Sequence, residues 1–456
     1  PEFIRMLQLE DQMLSPGMIG FMQYEDYPFA CDYGLERGVY FLAACLLVAP
    51  EARIYPEIYT QGGIQGCPDG AVYYAHPPFG QRDSNVPVRM TRQVYEYALA
   101  TAFYSNGAVR YWHRRGFQAC GFSRPWFEAL LQGWRVVEEY PPAKPLRSPV
   151  FFSSHASRRA HESYVAESPY PTIPDVRNSA AEVVPYAYEQ WRRSGGVAGA
   201  LAWLEDAGRL APEDVDFLVL PPLAGVPRKC IEAIRKLHEK GVGLLAFEDV
   251  NGLEDLFGVQ DTGGDSAVLT VSAVGDFLSD YAGERMEWCT EPRCKGHYAA
   301  AGCTVLLEGT TAAGAMPVLT LKKNGGAAAV LFTVPPQLVR KEELHERLGY
   351  GRDSISRFVD NAAQAAMGML ARPLVSVDGG RLIAYRSSNG AEVVIVENPD
   401  QESPRVIDVT IREELSGRKL LMPYAERGLV VLGRDEEATR LRVRLAKEEC
   451  AVIVIQ

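Results

Sequence analysis

No apolar stretch in this sequence approaches the roughly 18 residues needed to span a bilayer, so no membrane partner is expected. The longest, Val39 to Ala49, reads as one buried helix. The first residues lack the pattern of a secretory signal, and Pro1-Glu2-Phe3 in place of an initiator Met is consistent with a cloning remnant or an internal start. CxxC pairs are absent too. Nine cysteines, an odd number, are scattered along the chain. That excludes a disulfide framework and leaves reduced, structural thiols in a cytoplasmic protein as the expectation. Cys289, Cys294, His297 and Cys303 invite a zinc reading, but their spacing matches no short-loop ligand pair and a fourth ligand is unclear. No metal and no cofactor is expected. Basic runs are equally scarce: Arg114-Arg115 and Arg192-Arg193 read as solvated surface. With a net charge of −11 the chain repels phosphate backbones, which argues against nucleic acid as a partner.

What is present is an ordinary globular composition, 47% hydrophobic and 23% charged, over a length that suggests two to four domains. Three textures divide the chain into 1–147, 148–373 and 374–456. The middle segment alternates strand and helix, the mark of a parallel sheet covered on both faces. Pro149 to Ser154, Asp216 to Leu220 and Gly243 to Phe247 are short apolar strands. Asn178 to Ser194 reads as a helix with Val183, Val184, Ala187 and Trp191 on one side and Gly195-Gly196 as its stop. Pro227 to Lys240 is an amphipathic helix whose Ile231, Ile234 and Leu237 recur at helical spacing; His238 reads as a helix-end charge and Cys230 as packing.

The order DVDFLVLPPLAGV, IEAIRKLHEKGVGLLAFEDVNGLEDLFGV and VLLEGTTAAGAMPVLTLKKNGGAAAVLFTVPP resembles the amidotransferase-like trimerisation domain of family 42 glycoside hydrolases. The resemblance covers roughly half the chain and implies a flavodoxin-type fold and a homo-oligomer, trimer or dimer. An active amidotransferase carries a cysteine on the sharp turn after its central strand. Here that turn is Glu248-Asp249-Val250-Asn251-Gly252, without a thiol, so that chemistry is expected to be absent. Glu248 and Asp249 then read either as ligand groups at a strand end or as caps of the following short helix.

In the first segment, Met18–Tyr24, Arg53–Tyr59 and Gly107–Trp112 are strands. Leu35–Ala49, Thr91–Tyr104 and Pro125–Glu138 are helices, and Gln61 to Gly66 is a glycine-rich loop. Three βα units ahead of such a domain look like the closing part of a (β/α)8 barrel, whose functional residues sit at strand carboxyl ends. By resemblance to clan A glycosidases, which include family 42, ARIYPEIYTQ aligns with the seventh strand and GAVRYWHRRGF with the eighth. Glu57 then matches the nucleophile and Trp112 the sugar platform. Tyr59, Arg110 and His113 would be neighbours, and Glu25-Asp26 would end the sixth strand. Retaining hydrolysis needs two carboxyl groups roughly 5–5.5 Å apart. The family's acid/base comes from a fourth strand that does not precede Met18, so Glu25 is the nearby substitute. The missing strands would come from further sequence or a companion chain.

After Pro373, seven short strands separated by turns such as Asp378-Gly379-Gly380 and Ser388-Asn389-Gly390 suggest an antiparallel β-sandwich. The expected function is glycoside hydrolysis of a β-linked carbohydrate. The alternative is a non-catalytic oligomerisation or ligand-binding protein.

Overall fold

The structure is a computed structural model that describes residues 21–26, 53–59, 110–112, 135–136, 138–160, 162–165, 175–197, 199–288, 295–336, 354–398, 403–412, 415, 417–423, 430–434, 437–446 and 450–456. It is a mixed α/β fold of several sheets. Among the described residues no helix is long and apolar enough to cross a membrane.

Strands β1 (Phe21–Asp26), β2 (Arg53–Tyr59) and β3 (Arg110–Trp112) form one parallel sheet in that order. The β2 bounds coincide with the expected strand. The helices expected over Leu35–Ala49 and Thr91–Tyr104 and the Gln61–Gly66 loop lie outside the described residues; of the Pro125–Glu138 helix only the last turn is described.

Next in the chain come β4 (Pro142–Pro145), β5 (Ser148–Ser153), the short helix α1 (His155–Ala160), and a hairpin of β6 (Glu162–Val165) and β7 (Asp175–Asn178). Then follow α2 (Ser179–Arg193), β8 (Ala200–Trp203), β9 (Val215–Leu220), α3 (Arg228–Glu239), β10 (Gly243–Phe247) and α4 (Glu254–Phe257). An antiparallel portion comprises β11 (Val259–Ala267), β12 (Thr270–Ala273), β13 (Met286–Glu287), β14 (Lys295–Ala300), β15 (Thr304–Thr311) and β16 (Gly314–Asn324). Strand β17 (Ala327–Phe332) and helix α5 (Ser354–Leu370) complete the segment.

Nine of these strands make one sheet, ordered β13-β12-β15-β16-β17-β10-β9-β5-β8. The five from β17 to β8 run parallel. In chain order they follow the 2-1-3-4-5 arrangement of a doubly wound sheet. Phe151, Phe217, Leu245 and Phe247 pack with α2 and α5 on one face. Phe152, Leu218, Leu244 and Ala246 pack with Cys230, Ile234 and Leu237 of α3 on the other. Burial on both faces is why these strands read as unbroken apolar runs. Helix α5 was not among the expected elements; ten of its residues are buried, while Ser354, Arg357, Asn361 and Gly368 recur at helical spacing on its exposed face.

Helix α2 stops as expected. Gly195 adopts φ +84, its N–H bonds to the Arg192 carbonyl at 3.2 Å, and the Gly196 N–H bonds to the Trp191 carbonyl at 3.0 Å, a Schellman pattern. Gly196 has a second reason: a Cβ there would lie 2.1 Å from the Trp191 ring.

His238 corrects an expectation. It is 3% exposed, not a solvated helix-end charge. Its Nδ1 lies 2.9 Å from the Val242 carbonyl and its Nε2 2.9 Å from the Asn324 side-chain amide, which suits a neutral ring donating from Nδ1 and accepting at Nε2. Burial pushes its pKa below 6.5 despite the bond to Val242. Because the folded pKa is depressed, this stabilising contribution is complete above pH 6.5 and declines as pH falls through the folded value. Wild type is expected to lose melting temperature between pH 7.5 and 5.5 relative to His238→Gln. Parallel pH profiles for the two proteins would rule this out.

The last segment contains all seven expected strands: β18 (Val375–Asp378), β19 (Arg381–Ser387), β20 (Glu392–Glu397), β21 (Arg405–Arg412), then β23 (Val430–Arg434), β24 (Ala438–Leu445) and β25 (Cys450–Ile455). A two-residue strand, β22 (Leu420–Leu421), precedes β23. They form antiparallel sheets ordered β18-β21-β24-β23 and β22-β25-β20-β19-β4. Leu382, Val394 and Ile453 of one sheet share a core with Ile407, Val409, Leu441 and Val443 of the other. The alternate residues Ile383, Tyr385, Val393 and Val454 turn the opposite way and pack on Val136 and Tyr140. Strand β4, on the early side of the expected 147/148 boundary, thus completes a sheet whose other strands follow residue 380. The Tyr385 hydroxyl donates to the Tyr140 carbonyl at 3.0 Å across the same seam.

Asp216, at the start of β9, sits where the chain passes between the central and last segments. It is 5% exposed and accepts the Arg372 N–H at 2.5 Å. Burial pushes its carboxyl up to about 6, although the Arg372 N–H and the charges of Arg147, Arg412 and Arg372 favour the anion. A carboxyl raised from 3.8 takes up a proton on folding, so this contribution favours the native state most below pH 3.8 and is lost as pH rises through about 6. The loss is on the order of 3 kcal/mol. Asp216→Asn keeps the acceptor for Arg372 without the charge. Urea unfolding should find it more stable than wild type at pH 7.5 and equal to it near pH 3; equal midpoints at both values would refute this.

Candidate functional site

In the first sheet the parallel register sets Glu25 opposite Glu57, and Glu57 opposite Arg110. The three residues form one row across adjacent strands. The following rows are Asp26–Ile58–Tyr111 and Tyr59–Trp112. Glu25 is one residue from the end of β1 and Glu57 two from the end of β2, so the row lies toward the carboxyl ends. Neighbouring strands lie about 4.8 Å apart. Residues separated by 32 and 53 positions in sequence thereby become lateral neighbours. Of the expected site residues, His113 lies outside the described residues.

A second concave location is the carboxyl edge of the central sheet. A doubly wound sheet binds ligands where its strand order reverses, here between β5 and β9. That crevice is occupied by the chain's own α1. The fully buried Ser157 donates its hydroxyl to the Pro222 carbonyl beyond β9. At Gly225, where φ is +74, a Cβ would lie 3.1 Å from the Ala160 Cβ and 3.3 Å from the Ala156 carbonyl oxygen. Beside it, Ser154 donates to Glu205 at 2.9 Å, and the His155 ring stacks on Trp203 with centroids 4.0 Å apart. The Arg158 guanidinium lies 5.9 Å from the same Trp203 ring, within cation–π range.

The turn after β10 keeps a sharp shape without a thiol. Glu248 has φ 65, and the Asp249 N–H bonds back to the Phe247 carbonyl at 2.7 Å, a γ-turn. Such a conformation costs a non-glycine residue on the order of 1–3 kcal/mol and persists where surroundings hold it. Here the Glu248 N–H donates to the Phe332 carbonyl at 2.6 Å, Leu223 N–H donates to the Asp249 carbonyl at 2.9 Å, and Val250 N–H donates to the Tyr298 phenol oxygen at 3.1 Å. Burial pushes the Tyr298 pKa well up, which keeps the phenol neutral. The helix-cap reading of Glu248 and Asp249 is corrected. Asp249 accepts the Asn251 N–H at 2.8 Å, and α4 starts from Leu253 with no side-chain cap. The turn itself consumes the intervening residues before the helix begins.

Cys230 is buried in the α3 core, and burial, with nearby Glu205, raises its thiol pKa, so it is an inert packing group. A cleft of about 380 Å³ lies between β14 and the β15–β16 hairpin, lined by Thr262, Ser266, Glu308, Thr311 and Met316 among others. The roles of Ser157 and Tyr298 had no sequence signal, because their partners lie 65 and 48 residues away.

No protein-family model matches the chain, and no curated protein matches it. Solved structures do. The alpha-L-fucosidase isoenzyme 2 from Paenibacillus thiaminolyticus aligns over 96% of this chain with a TM-score of 0.60 at 11% identity. Beta-galactosidases from Bacillus circulans sp. alkalophilus and Rahnella sp. R3 align over 93% and 92% of it, with TM-scores of 0.47 and 0.48, each at 12% identity. The chain spans 65% of the fucosidase and 66% of each galactosidase. In fold, the chain resembles multidomain glycoside hydrolases.

Proposed function

We propose that this chain forms part of a glycoside hydrolase that cleaves β-linked sugars by a retaining mechanism, with Glu57 as nucleophile and Glu25 as acid/base. The observation that carries the reading is the Glu25–Glu57–Arg110 row toward the carboxyl ends of three parallel strands. Adjacent strands about 4.8 Å apart bring two carboxylate-bearing residues near the roughly 5–5.5 Å separation that retaining hydrolysis uses. Arg110 stands opposite Glu57 in the same row. Trp112, Tyr59, Asp26 and His113 are read as sugar-binding groups, and the three strands as the last of a (β/α)8 barrel. The likeness in fold to a fucosidase supports the class of reaction.

The central segment is read as a scaffold. Its switch-point crevice is filled by α1, and Glu248 stands at the strand-end turn where an amidotransferase would carry its cysteine.

The test is hydrolysis of activated aryl glycosides by the complete product of the reading frame, using β-galactoside, β-mannoside and α-L-fucoside. A β-glycoside turned over with net retention of anomeric configuration supports the proposal. Turnover of the α-L-fucoside alone overturns the β-specificity, inversion overturns the two-carboxylate assignment, and inactivity on the whole panel overturns the enzyme reading.

A further inference from the structure

The cleft between β14 and the β15–β16 hairpin is made by two local departures from regular strand. The β11–β14 ladder pairs Asp261 with Tyr298 and then Ser266 with Gly296, so the β11 residues 262–265 stand against His297 alone. Within this bulge Gly263 takes φ +62, and its N–H donates to the Asp261 carboxylate at 2.7 Å. Bulges of this kind interrupt pairing and re-aim side chains. Across the cleft, a Cβ at Gly296 would lie 1.8 Å from the Met316 methyl. The bare backbone at Gly296 is what lets Met316 line the wall. The volume of about 380 Å³ falls within the roughly 300–1,000 Å³ of small-molecule sites.

The polar groups of the lining agree in kind. Thr262 Oγ1 donates to the His297 carbonyl at 2.8 Å, and Thr311 Oγ1 donates to the Gly314 carbonyl at 2.9 Å. Both hydroxyl protons are committed, so each threonine offers a ligand only acceptor lone pairs. Glu308 is exposed in the same lining and forms no hydrogen bond or ion pair with another described residue. Its carboxylate also only accepts, and it can take two O–H donors side by side. The described lining holds no Lys, Arg or His, so an anion finds no charge partner there. The flanking strands carry Asp261 and Asp265 on β11 and Lys295 and His297 on β14, so the surroundings impose no single sign of charge. Val305 and Met316 supply apolar wall. The complement of this lining is a neutral ligand, rich in hydroxyl donors, with one apolar face.

We propose that this cleft of the central segment binds a neutral monosaccharide. Two adjacent hydroxyls of the sugar donate to Glu308, and charge assistance makes these the strongest bonds of the site. A further hydroxyl donates to Thr311, and the C–H face of the ring packs on Met316. The cleft draws on no residue of the Glu25–Glu57–Arg110 row, so the inference is independent of the hydrolase reading.

Methyl NMR on the whole chain, with isotope-labelled methionine, tests it. The Met316 signal, identified by its loss in Met316→Leu, should shift saturably with D-galactose, D-mannose or L-fucose at millimolar concentration. Glu308→Gln should raise the dissociation constant about tenfold or more. Ala315→Phe keeps the carboxylate but fills the cleft from an exposed position on β16, and it should abolish the shift. Met22, on β1, reports the first sheet. A sugar response confined to Met22 would overturn this proposal and leave the hydrolase reading standing. No Met316 shift with any of the three sugars, or equal affinity in Glu308→Gln, would also overturn it. So would a Met316 response to the diamine putrescine and to no sugar, which would assign the cleft to a cation.

Discussion

Glu57→Gln is expected to lower hydrolysis of an activated aryl glycoside about a thousandfold or more, while leaving the melting curve unchanged. A carboxylate attacks the anomeric carbon because its oxygen carries negative charge; the neutral amide oxygen is a far weaker nucleophile and cannot form the same ester intermediate. Loss of a group acting directly on the reacting atoms typically costs several orders of magnitude in rate. Gln preserves the shape of Glu, so the fold is not the variable. Glu25→Gln should behave differently. Its proposed task is to protonate the departing oxygen, and an activated phenol needs little help to leave. The defect should therefore be small on activated substrates and grow as the leaving group becomes more basic. Near-normal turnover by Glu57→Gln would clear that residue of any nucleophilic role. Equal defects for Glu25→Gln across leaving groups would clear Glu25 of acid catalysis.

The second large effect concerns the last segment. Glu392, 1% exposed at the start of β20, accepts from Arg386 Nε at 3.0 Å and pairs with Arg386 Nη2 at 2.9 Å and with Arg418 Nη1. The two arginines are 41% and 40% exposed, whereas the Glu392 side chain is 1% exposed. Removing both arginines strands a buried charge, and Arg386→Ala/Arg418→Ala should cost about 3–5 kcal/mol. Glu392→Ala should cost less, about 1–2 kcal/mol, because each guanidinium can turn outward and recover its hydration. Chemical denaturation of the two variants measures the order. A glutamate variant less stable than the double arginine variant would show that packing around the Glu392 stem outweighs the ion pairs.

Much of the fold was legible from local pattern. Strands β2 and β10 fall where apolar runs begin and end, and helix α2 stops at the expected Gly195-Gly196 pair. The last segment's strands follow from their alternation and turn residues. The individual site residues of the first segment were legible too, but only as members of separate strands. Their common row depends on lateral register, which leaves no periodic trace along one strand. His238 shows a different limit. Its place at a helix end was readable, but its burial and its contact with Asn324 depend on segments brought together across the fold.

The sequence by itself determined the kinds of element and their order, because a strand's alternation and a helix's apolar stripe are short-range patterns. It also determined that the turn after β10 carries no thiol. Only the tertiary structure decided that β4 pairs with β19 and completes the last sheet, since that register joins Lys144 to Arg386 across the entire central segment. The tertiary structure likewise decided that α1 fills the switch-point crevice and that Glu25, Glu57 and Arg110 share a row. The physical reason is common to all three. Strand edges and crevices are completed by whichever distant segment the packed core brings alongside, and that choice is made by burial and hydrogen bonding after the elements have formed.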